Sequence, residues 1–302
     1  MNQALMIPGA EGYALSAQLD LPSHCKPGAW AIFAPCFTCD KRLKGARHLI
    51  KALNQAGFGV MSFDFTGLGQ SEGHFEETNF STKIQDLEQV FHYMKSHQMT
   101  PSLLVGHSLG GSVALYVAGK HDEIRAVATI GAPFEPAYIT RKTLAHLKEE
   151  VDTHGKANAV LAGRPFTITS QLFDDLESYD PHSYIPKMRT ALLVLHGPLD
   201  EVVSVDNATH IFMAARGAKS YVTLDKADHL LSRKEDAEYA GGLIAQWSTR
   251  YLEMTPELVL ESRGAEVVVS TGRDTYHTDI LARDKHQLVS DEPIKVQGTD
   301  HG

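Results

Sequence analysis

Gly106-His107-Ser108-Leu109-Gly110 sets a serine between two glycines, after an apolar run (Leu103, Leu104, Val105) and before a helix-like run from Ser112 to Ala118. A serine on a sharp turn between a buried strand and a helix presents its hydroxyl at the end of a sheet. The helix N-terminus beside it offers unpaired N–H groups to an oxyanion. Glycines suit the turn because little room is left for a Cβ. The chemistry that fits is attack on an acyl carbon, with Ser108 as nucleophile and the Leu109 N–H as one oxyanion donor.

Such a serine needs a base, and the base needs a carboxylate. In the strand–turn–helix setting the chain order is serine, acid, histidine. Asp200 follows the apolar run Ala191 to Leu195 and the turn residues Gly197-Pro198, which reads as a buried strand and the loop after it. Its simpler role would be to cap the helix that begins near Val205. Glu201 competes for the acid role, and Asp206 reads as first-turn helix charge. His229 lies in the loop after a short strand, Ser220 to Leu224. The chain has 16 histidines, so residue type selects nothing. Position after the last strand, behind Ser108 and Asp200, selects His229. His196 ends a strand but precedes Asp200, and His210 falls on an expected helix. His107 sits inside the turn beside the nucleophile and is expected to contact substrate.

The second oxyanion donor must come from another loop. Ala31 to Ala34 reads as a strand, and Pro35-Cys36-Phe37-Thr38-Cys39 follows it. Pro35 has no N–H and holds Ala34 extended. By position the donor is the Phe37 N–H, with the Phe37 ring lining the acyl pocket. Cys36 and Cys39 form a C-x-x-C, which can be a redox pair or half of a zinc site. No second cysteine pair exists, and Cys25 stands apart, so the simplest reading is two small residues shaping a loop. No metal and no cofactor is expected.

These residues need a frame. Strand and helix signals alternate along the chain, which implies an α/β fold with a mostly parallel sheet and helices on both faces. Residues 3–21 read as an opening hairpin turning near Pro8-Gly9. Ala46, Leu49, Ile50 and Leu53 mark one helix face. Gly59 to Phe63 is a strand, and Ser81 reads as the cap of a helix with Ile84, Leu87, Phe91 and Met94 inward. Ala126 to Ile130 is a further strand. The last helix, 234–252, is expected to bury Tyr239, Leu243, Ile244, Trp247 and Tyr251. Ligands in such sheets bind at the carboxyl ends of the strands, where Ser108, Asp200 and His229 would gather.

Residues 134–187 interrupt the alternation and read as a small cap inserted in a domain spanning 1–253. The cap would hold a helix over Ile139 to Val151, a hairpin turning at Gly163-Arg164, and a short helix over Gln171 to Leu176. Over 254–302, three strand signals (Glu266 to Ser270, Tyr276 to Leu281, His286 to Val289) read as a β-meander.

A chain of 302 residues accommodates one large α/β domain and a small appendage. The net charge of −9 repels nucleic acid and anionic lipid, so neither is an expected partner. No run approaches the roughly 20 apolar residues of a membrane helix. Met1 to Leu21 shows no basic stretch followed by an apolar core, and three cysteines give no disulfide framework. The expected compartment is the cytoplasm.

Over about residues 10–253 the chain resembles an α/β-hydrolase of the serine esterase type. The resemblance rests on the Gly106 to Gly110 motif and on the order Ser108, Asp200, His229. It also rests on Phe63-Asp64-Phe65-Thr66-Gly67-Leu68-Gly69-Gln70-Ser71-Glu72-Gly73, which is similar to that family's D-x-x-G-x-G-x-S loop. Where the family often carries His-Gly before its second oxyanion donor, this chain has Pro35-Cys36. The resemblance implies a serine carboxylesterase acting on short-chain esters through an acyl-enzyme. Thioesterase, amidase or peptidase, lactonase and perhydrolase chemistry use the same three residues, and a non-catalytic binding module tied to thiol redox chemistry is the alternative of another class. Phe37-Thr38-Cys39, the Phe63 to Gly73 stretch and the meander resemble bifunctional proteins with a hydrolase in front and an OsmC-like domain behind, the second module cut short here. That module's peroxide chemistry uses reactive cysteines, and none lies beyond Cys39. The meander is expected to pack on the hydrolase domain or to pair with a second copy.

Overall fold

The structure, a computed structural model, describes residues 2–254 except 11, 24 and 162, together with 267–271, 278–282 and 286–290. In chain order the strands of the main unit are β1 (Asn2–Pro8), β2 (Ala14–Asp20), β3 (Ala29–Ala34), β4 (Phe58–Phe63), β5 (Leu103–His107), β6 (Ala126–Ile130), β7 (Lys156–Leu161), β8 (Arg164–Thr169), β9 (Ala191–His196) and β10 (Lys219–Thr223). Eight of them share one sheet in the order β1-β2-β4-β3-β5-β6-β9-β10. β1 and β2 pair antiparallel, as do β2 and β4; from β4 to β10 every pairing is parallel.

The parallel strands read as unbroken apolar runs because both of their faces are covered. Alternate side chains enter two cores. Ile32, Leu104 and Leu192 point into one, and Phe33, Leu103, Val105 and Leu193 into the other. The helices that cover them are α1 (Lys44–Gln55), α2 (Phe80–Ser96), α3 (Leu109–Ala118), α4 (Tyr138–Lys142), α5 (Lys148–His154), α6 (Ser170–Glu177), α7 (Pro181–Tyr184), α8 (Asp206–Ala214) and α9 (Lys234–Ser248). α1 and α9 lie on one face; α2, α3 and α8 lie on the other.

Three local expectations are corrected. Asn79, not Ser81, caps α2: its side chain accepts from the Thr82 N–H at 2.9 Å, and Thr82 Oγ1 accepts from the Asn79 N–H at 2.8 Å. Two donors are satisfied reciprocally, which a cap two residues later could not do. Ser81 instead donates to Asp175 Oδ1 at 2.5 Å, tying α2 to α6. Secondly, α9 ends at Ser248, and Tyr239 is 56% exposed. The buried stripe of α9 is Ala237, Ala240, Gly241, Ile244 and Ala245. A Cβ on Gly241 would stand 2.7 Å from the Leu49 carbonyl of α1, so the two helices approach too closely for a tyrosine between them. Leu243, Trp247 and Tyr251 are partly buried at the edge of that core.

The third correction lies in the cap. Residues 139–151 do not form one helix: α4 stops at Lys142 and α5 starts at Lys148, with Leu144 buried between them. The hairpin β7–β8 forms, but Arg164 opens β8 rather than sharing the turn; Gly163, with φ 74°, precedes it. α6 covers the predicted short helix.

The chain divides into two compact units, one of residues 1–22 and 27–255, the other of residues 23–26 and 256–302. In the second, β11 (Val267–Thr271), β12 (Thr278–Ala282) and β13 (His286–Ser290) form an antiparallel meander in that order. Val269 pairs with Ile280, and Ile280 with Leu288. Glu266, Tyr276 and His277 of the predicted strands lie outside the described residues. No helix among the described residues is long and apolar enough to cross a membrane.

Candidate active site

β5 ends at His107 and α3 begins at Leu109, leaving Ser108 alone at the turn with φ 55° and ψ −127°. Positive φ is unfavourable for a residue with a Cβ, and such strain persists only where neighbours hold it. Here the Ser108 N–H donates to the Ile130 carbonyl at 2.8 Å, and the Gly111 N–H donates to the Ser108 carbonyl at 2.8 Å. A Cβ on Gly106 would overlap the start of α3, and one on Gly110 would overlap the carbonyls of Ala34 and Pro35. Gly106 therefore lets the strand end close against the start of α3, and Gly110 lets the nucleophile turn touch the loop after β3. Leu109 is the first residue of α3, so its N–H has no acceptor within the helix.

Asp200 stands in the turn after β9. Its Oδ1 accepts from the N–H groups of Val202 and Val203, both at 2.9 Å, and its Oδ2 lies 2.7 Å from His229 Nδ1. One oxygen shapes the turn and the other holds the imidazole; Asp200 does not cap α8, whose N-terminus has no side-chain cap. A carboxylate only accepts, which assigns the proton to His229 Nδ1 and leaves Nε2 free to take a proton. Burial pushes the Asp200 pKa upward. Hydrogen bonds from His196 and His229, the His229 charge and the Val203 amide outweigh burial and hold the carboxyl well below the usual carboxylate range. His196 Nε2 is 3.4 Å from Asp200 Oδ2 and 2.8 Å from the Val203 carbonyl oxygen. Glu201 is exposed.

His107 does not line the cavity described below, which corrects its expected contact with substrate. It is buried behind the base, its Nε2 2.6 Å from the His229 backbone carbonyl and its ring 5.1 Å from the His229 ring. Burial, and then the neighbouring His229, push its pKa down to about 4, against the carbonyl bond that raises it. Gly131, which the sequence reading missed, follows β6 with φ 55°. A Cβ there would stand 3.1 Å from Asp200 Oδ2 and 3.3 Å from His229 Nδ1. A lone glycine after a strand was its only signal.

In the loop after β3, Cys36 and Cys39 are joined in a disulfide with a Cα–Cα distance of 5.2 Å. His107 brings a ring nitrogen within 4.8 Å of both sulfurs. A metal ligand must be a thiolate, and sulfurs bonded to each other are not, so these residues do not fit a metal in this state. Cys25 is free and buried. Lys41 anchors the far end of the loop. Its Nζ is 2.5 Å from Asp64 Oδ2, its N–H donates to Asp64 Oδ1 at 2.7 Å, and the Gln70 N–H donates to Asp64 Oδ2 at 3.0 Å. Ser71 Oγ donates to the Asp64 carbonyl at 2.6 Å. The stretch from Asp64 to Ser71 is thus a clamp on the loop after β3. Gly69 has φ 57°, and a Cβ there would overlap the Asp64 carboxylate.

Ser108 and His229 line a cavity of about 690 Å³. Phe37, Thr38 and the two cysteines form one wall. Ile139, Thr143, Leu161 and Arg164 of the cap form another, with Val202 and Leu230 near the base. The Arg164 guanidinium donates to the Thr38 carbonyl, joining cap and loop. The Phe37 N–H makes no hydrogen bond among the described residues.

The family model described as serine aminopeptidase, S33, matches residues 42–183. The crystal structure of the esterase domain of a Rhodothermus marinus protein is 40% identical, covering 83% of this chain and 99% of that chain, with a TM-score of 0.68. The chain belongs to the α/β-hydrolase family. The hydrolase also superposes on ferulic acid-bound Est1E from Butyrivibrio proteoclasticus with a TM-score of 0.72 at 20% identity, over 82% of this chain and 99% of that one, a likeness of fold. Among curated relatives, human ABHD12B is 28% identical over 56% of this chain and 45% of its own length. Human mitochondrial palmitoyl-protein thioesterase ABHD10 is 26% identical over 60% of each. The hydrolase spans about half the length of such relatives. The Rhodothermus marinus esterase domain supports hydrolase activity of the esterase kind.

Proposed function

We propose that this hydrolase is a serine carboxylesterase that cleaves short-chain carboxylic esters through an acyl-enzyme. The observation that carries the reading is the 2.7 Å pair of His229 Nδ1 and Asp200 Oδ2, with the imidazole lining the same cavity as Ser108. Ser108 Oγ attacks the acyl carbon while His229 Nε2 takes its proton. The N–H groups of Leu109 and Phe37 hold the tetrahedral oxyanion. Collapse expels the alcohol, protonated by His229. Water, giving its proton to His229, then frees the acid. The steps use protein groups and water alone. Cap residues on the cavity wall give the insertion a part in substrate choice.

A second reading, thioester or amide hydrolysis, is favoured by the names of the palmitoyl-protein thioesterase relative and of the aminopeptidase family model. A fluorophosphonate probe should label Ser108, and aryl esters of increasing chain length should be turned over fastest at the short end. Ser108→Ala should lower the rate by about 10⁴ to 10⁶ with the fold kept. Ester turnover surviving that change, or no labelling, defeats the reading. Faster release from acyl-thioesters or peptidyl amides selects the alternative.

The meander belongs to the same proposal, as a short OsmC-like segment through which two copies pair. Val267, Val269 and Leu288 are exposed apolar residues on its strands. Size-exclusion chromatography should show a dimer, and a monomer overturns this part. We assign the protein to the cytoplasm, where a single disulfide such as Cys36–Cys39 is of the reducible rather than the framework kind; fractionation tests it.

A further inference from the structure

The Cys36–Cys39 disulfide closes a ring that contains only Phe37 and Thr38. Both residues serve the cavity. Phe37 carries the second oxyanion donor of the proposed reaction, and its ring packs edge-on against Phe75 at 5.5 Å. Thr38 gives its carbonyl to Arg164 of the cap. Either side of the ring is fixed independently: Pro35 restricts the near side, and Lys41 is clamped to Asp64 on the far side. Opening the ring would therefore free the two residues that matter and little else.

So short a cross-link adds little to overall stability, because the entropy removed from the unfolded chain grows with loop length. Its effect is local. Its accessibility is asymmetric: Cys36 is buried, whereas Cys39 is half-buried, and both border the cavity that opens to small molecules.

We propose that Cys36–Cys39 is a thiol–disulfide exchange site for small dithiols, and that the intact bond positions the Phe37 amide for ester hydrolysis. The second half rests on the esterase reading above. The thiolate of a dithiol attacks Cys39 Sγ. The bond between the two protein sulfurs breaks, and Cys36 leaves as thiolate and takes a proton from solvent. The second thiolate of the dithiol then attacks its own half of the mixed disulfide and expels the Cys39 thiolate, which is protonated in turn. The protein gains two electrons and two protons, and the dithiol leaves as a cyclic disulfide. Cys36 and Cys39 are positioning residues here, acting through Phe37.

The test treats the whole native protein with dithiothreitol, removes the reagent, and reads maleimide uptake by intact mass beside aryl ester kinetics. Two maleimides should add per chain. kcat should fall about tenfold or more while KM stays within about twofold, since a displaced oxyanion donor weakens the transition state rather than the ground state. Reoxidation with diamide should restore kcat. The double variant Cys36→Ser with Cys39→Ser should show the low kcat of the reduced protein, respond to neither reagent, and keep its circular dichroism. No maleimide uptake under native conditions overturns the exchange site. Uptake of two with unchanged kcat overturns the positioning role. Uptake of two by a protein whose oxidised form hydrolyses no ester defeats the esterase reading and leaves the exchange site standing.

Discussion

His107 Nε2 donates a 2.6 Å hydrogen bond to the backbone carbonyl of His229. The residue before the nucleophile thus grips the main chain of the base. The bond needs a proton on Nε2 and by itself favours the charged ring, but burial and the nearby His229 outweigh it, lowering the pKa to about 4 and keeping the ring neutral with that proton in place.

This fixes a pH dependence of stability. The imidazole titrates near 6.5 unperturbed and about 4 in the folded chain. Between those values the unfolded chain holds a proton that the folded chain does not, so stability rises with pH across the window. The contribution is complete above pH 6.5 and lost below about 4, and is worth about 3 kcal/mol at most. His107→Gln keeps an N–H donor and removes the titration. Urea unfolding of both proteins from pH 7 to pH 4 should show the wild type losing that much more stability than the variant. Parallel curves would reject the assignment.

The Lys41–Asp64 pair, with Asp64 0% exposed, predicts a loss of another kind. Removing one partner strands a buried charge, which typically costs about 3–5 kcal/mol. Lys41→Met should therefore destabilise the protein strongly. Adding Asp64→Asn should recover part of the loss, because the stranded charge is gone. Chemical denaturation of single and double variants measures this, and a double variant no better than the single one contradicts it.

These residues show where the sequence was informative. Ser108 and Asp200 were readable because each follows an apolar run, and His229 from its place after the last short strand and behind both in chain order; a parallel sheet gathers such ends at one rim. Lys41, Gly131 and the Cys36–Cys39 bond were not readable as parts of the site. Their roles depend on packing between loops distant in sequence, and no local pattern encodes it. The error over Tyr239 has a similar origin. Large apolar residues attract attention, but α9 buries its small ones, since Gly241 must let the Leu49 carbonyl approach.

Lys83 gives the opposite sign to Lys41. Its ammonium is buried with no hydrogen-bond partner among the described residues, 4.5 Å from the Phe65 ring centroid. Burial pushes its pKa down to about 8, against the attraction of Asp86. Below pH 8 the folded state carries the full desolvation cost. Between about 8 and the ordinary 10.5 the folded chain releases its proton first, so stability rises with pH there. Lys83→Met should be more stable than wild type by about 1–3 kcal/mol at pH 7, cation–π attraction offsetting the rest. The gain should shrink toward pH 10. Thermal unfolding at the two pH values checks both statements, and a variant less stable at pH 7 refutes them.

Gly131 tests the geometry of the acid–base pair most directly. Alanine there meets two obstacles: φ of 55°, and a Cβ within 3.1 Å of Asp200 Oδ2 and 3.3 Å of His229 Nδ1. Left-handed backbone costs a non-glycine residue about 1–2 kcal/mol, and the crowded carboxylate and imidazole must separate by a few tenths of an ångström. Misorientation of that pair acts on proton transfer, not on substrate binding. Gly131→Ala should therefore lower kcat by about tenfold or more with little change in KM, while costing about 1–2 kcal/mol of stability. A variant with wild-type kcat would mean that the contact between Asp200 and His229 tolerates displacement, and that the base is oriented by something other than this carboxylate.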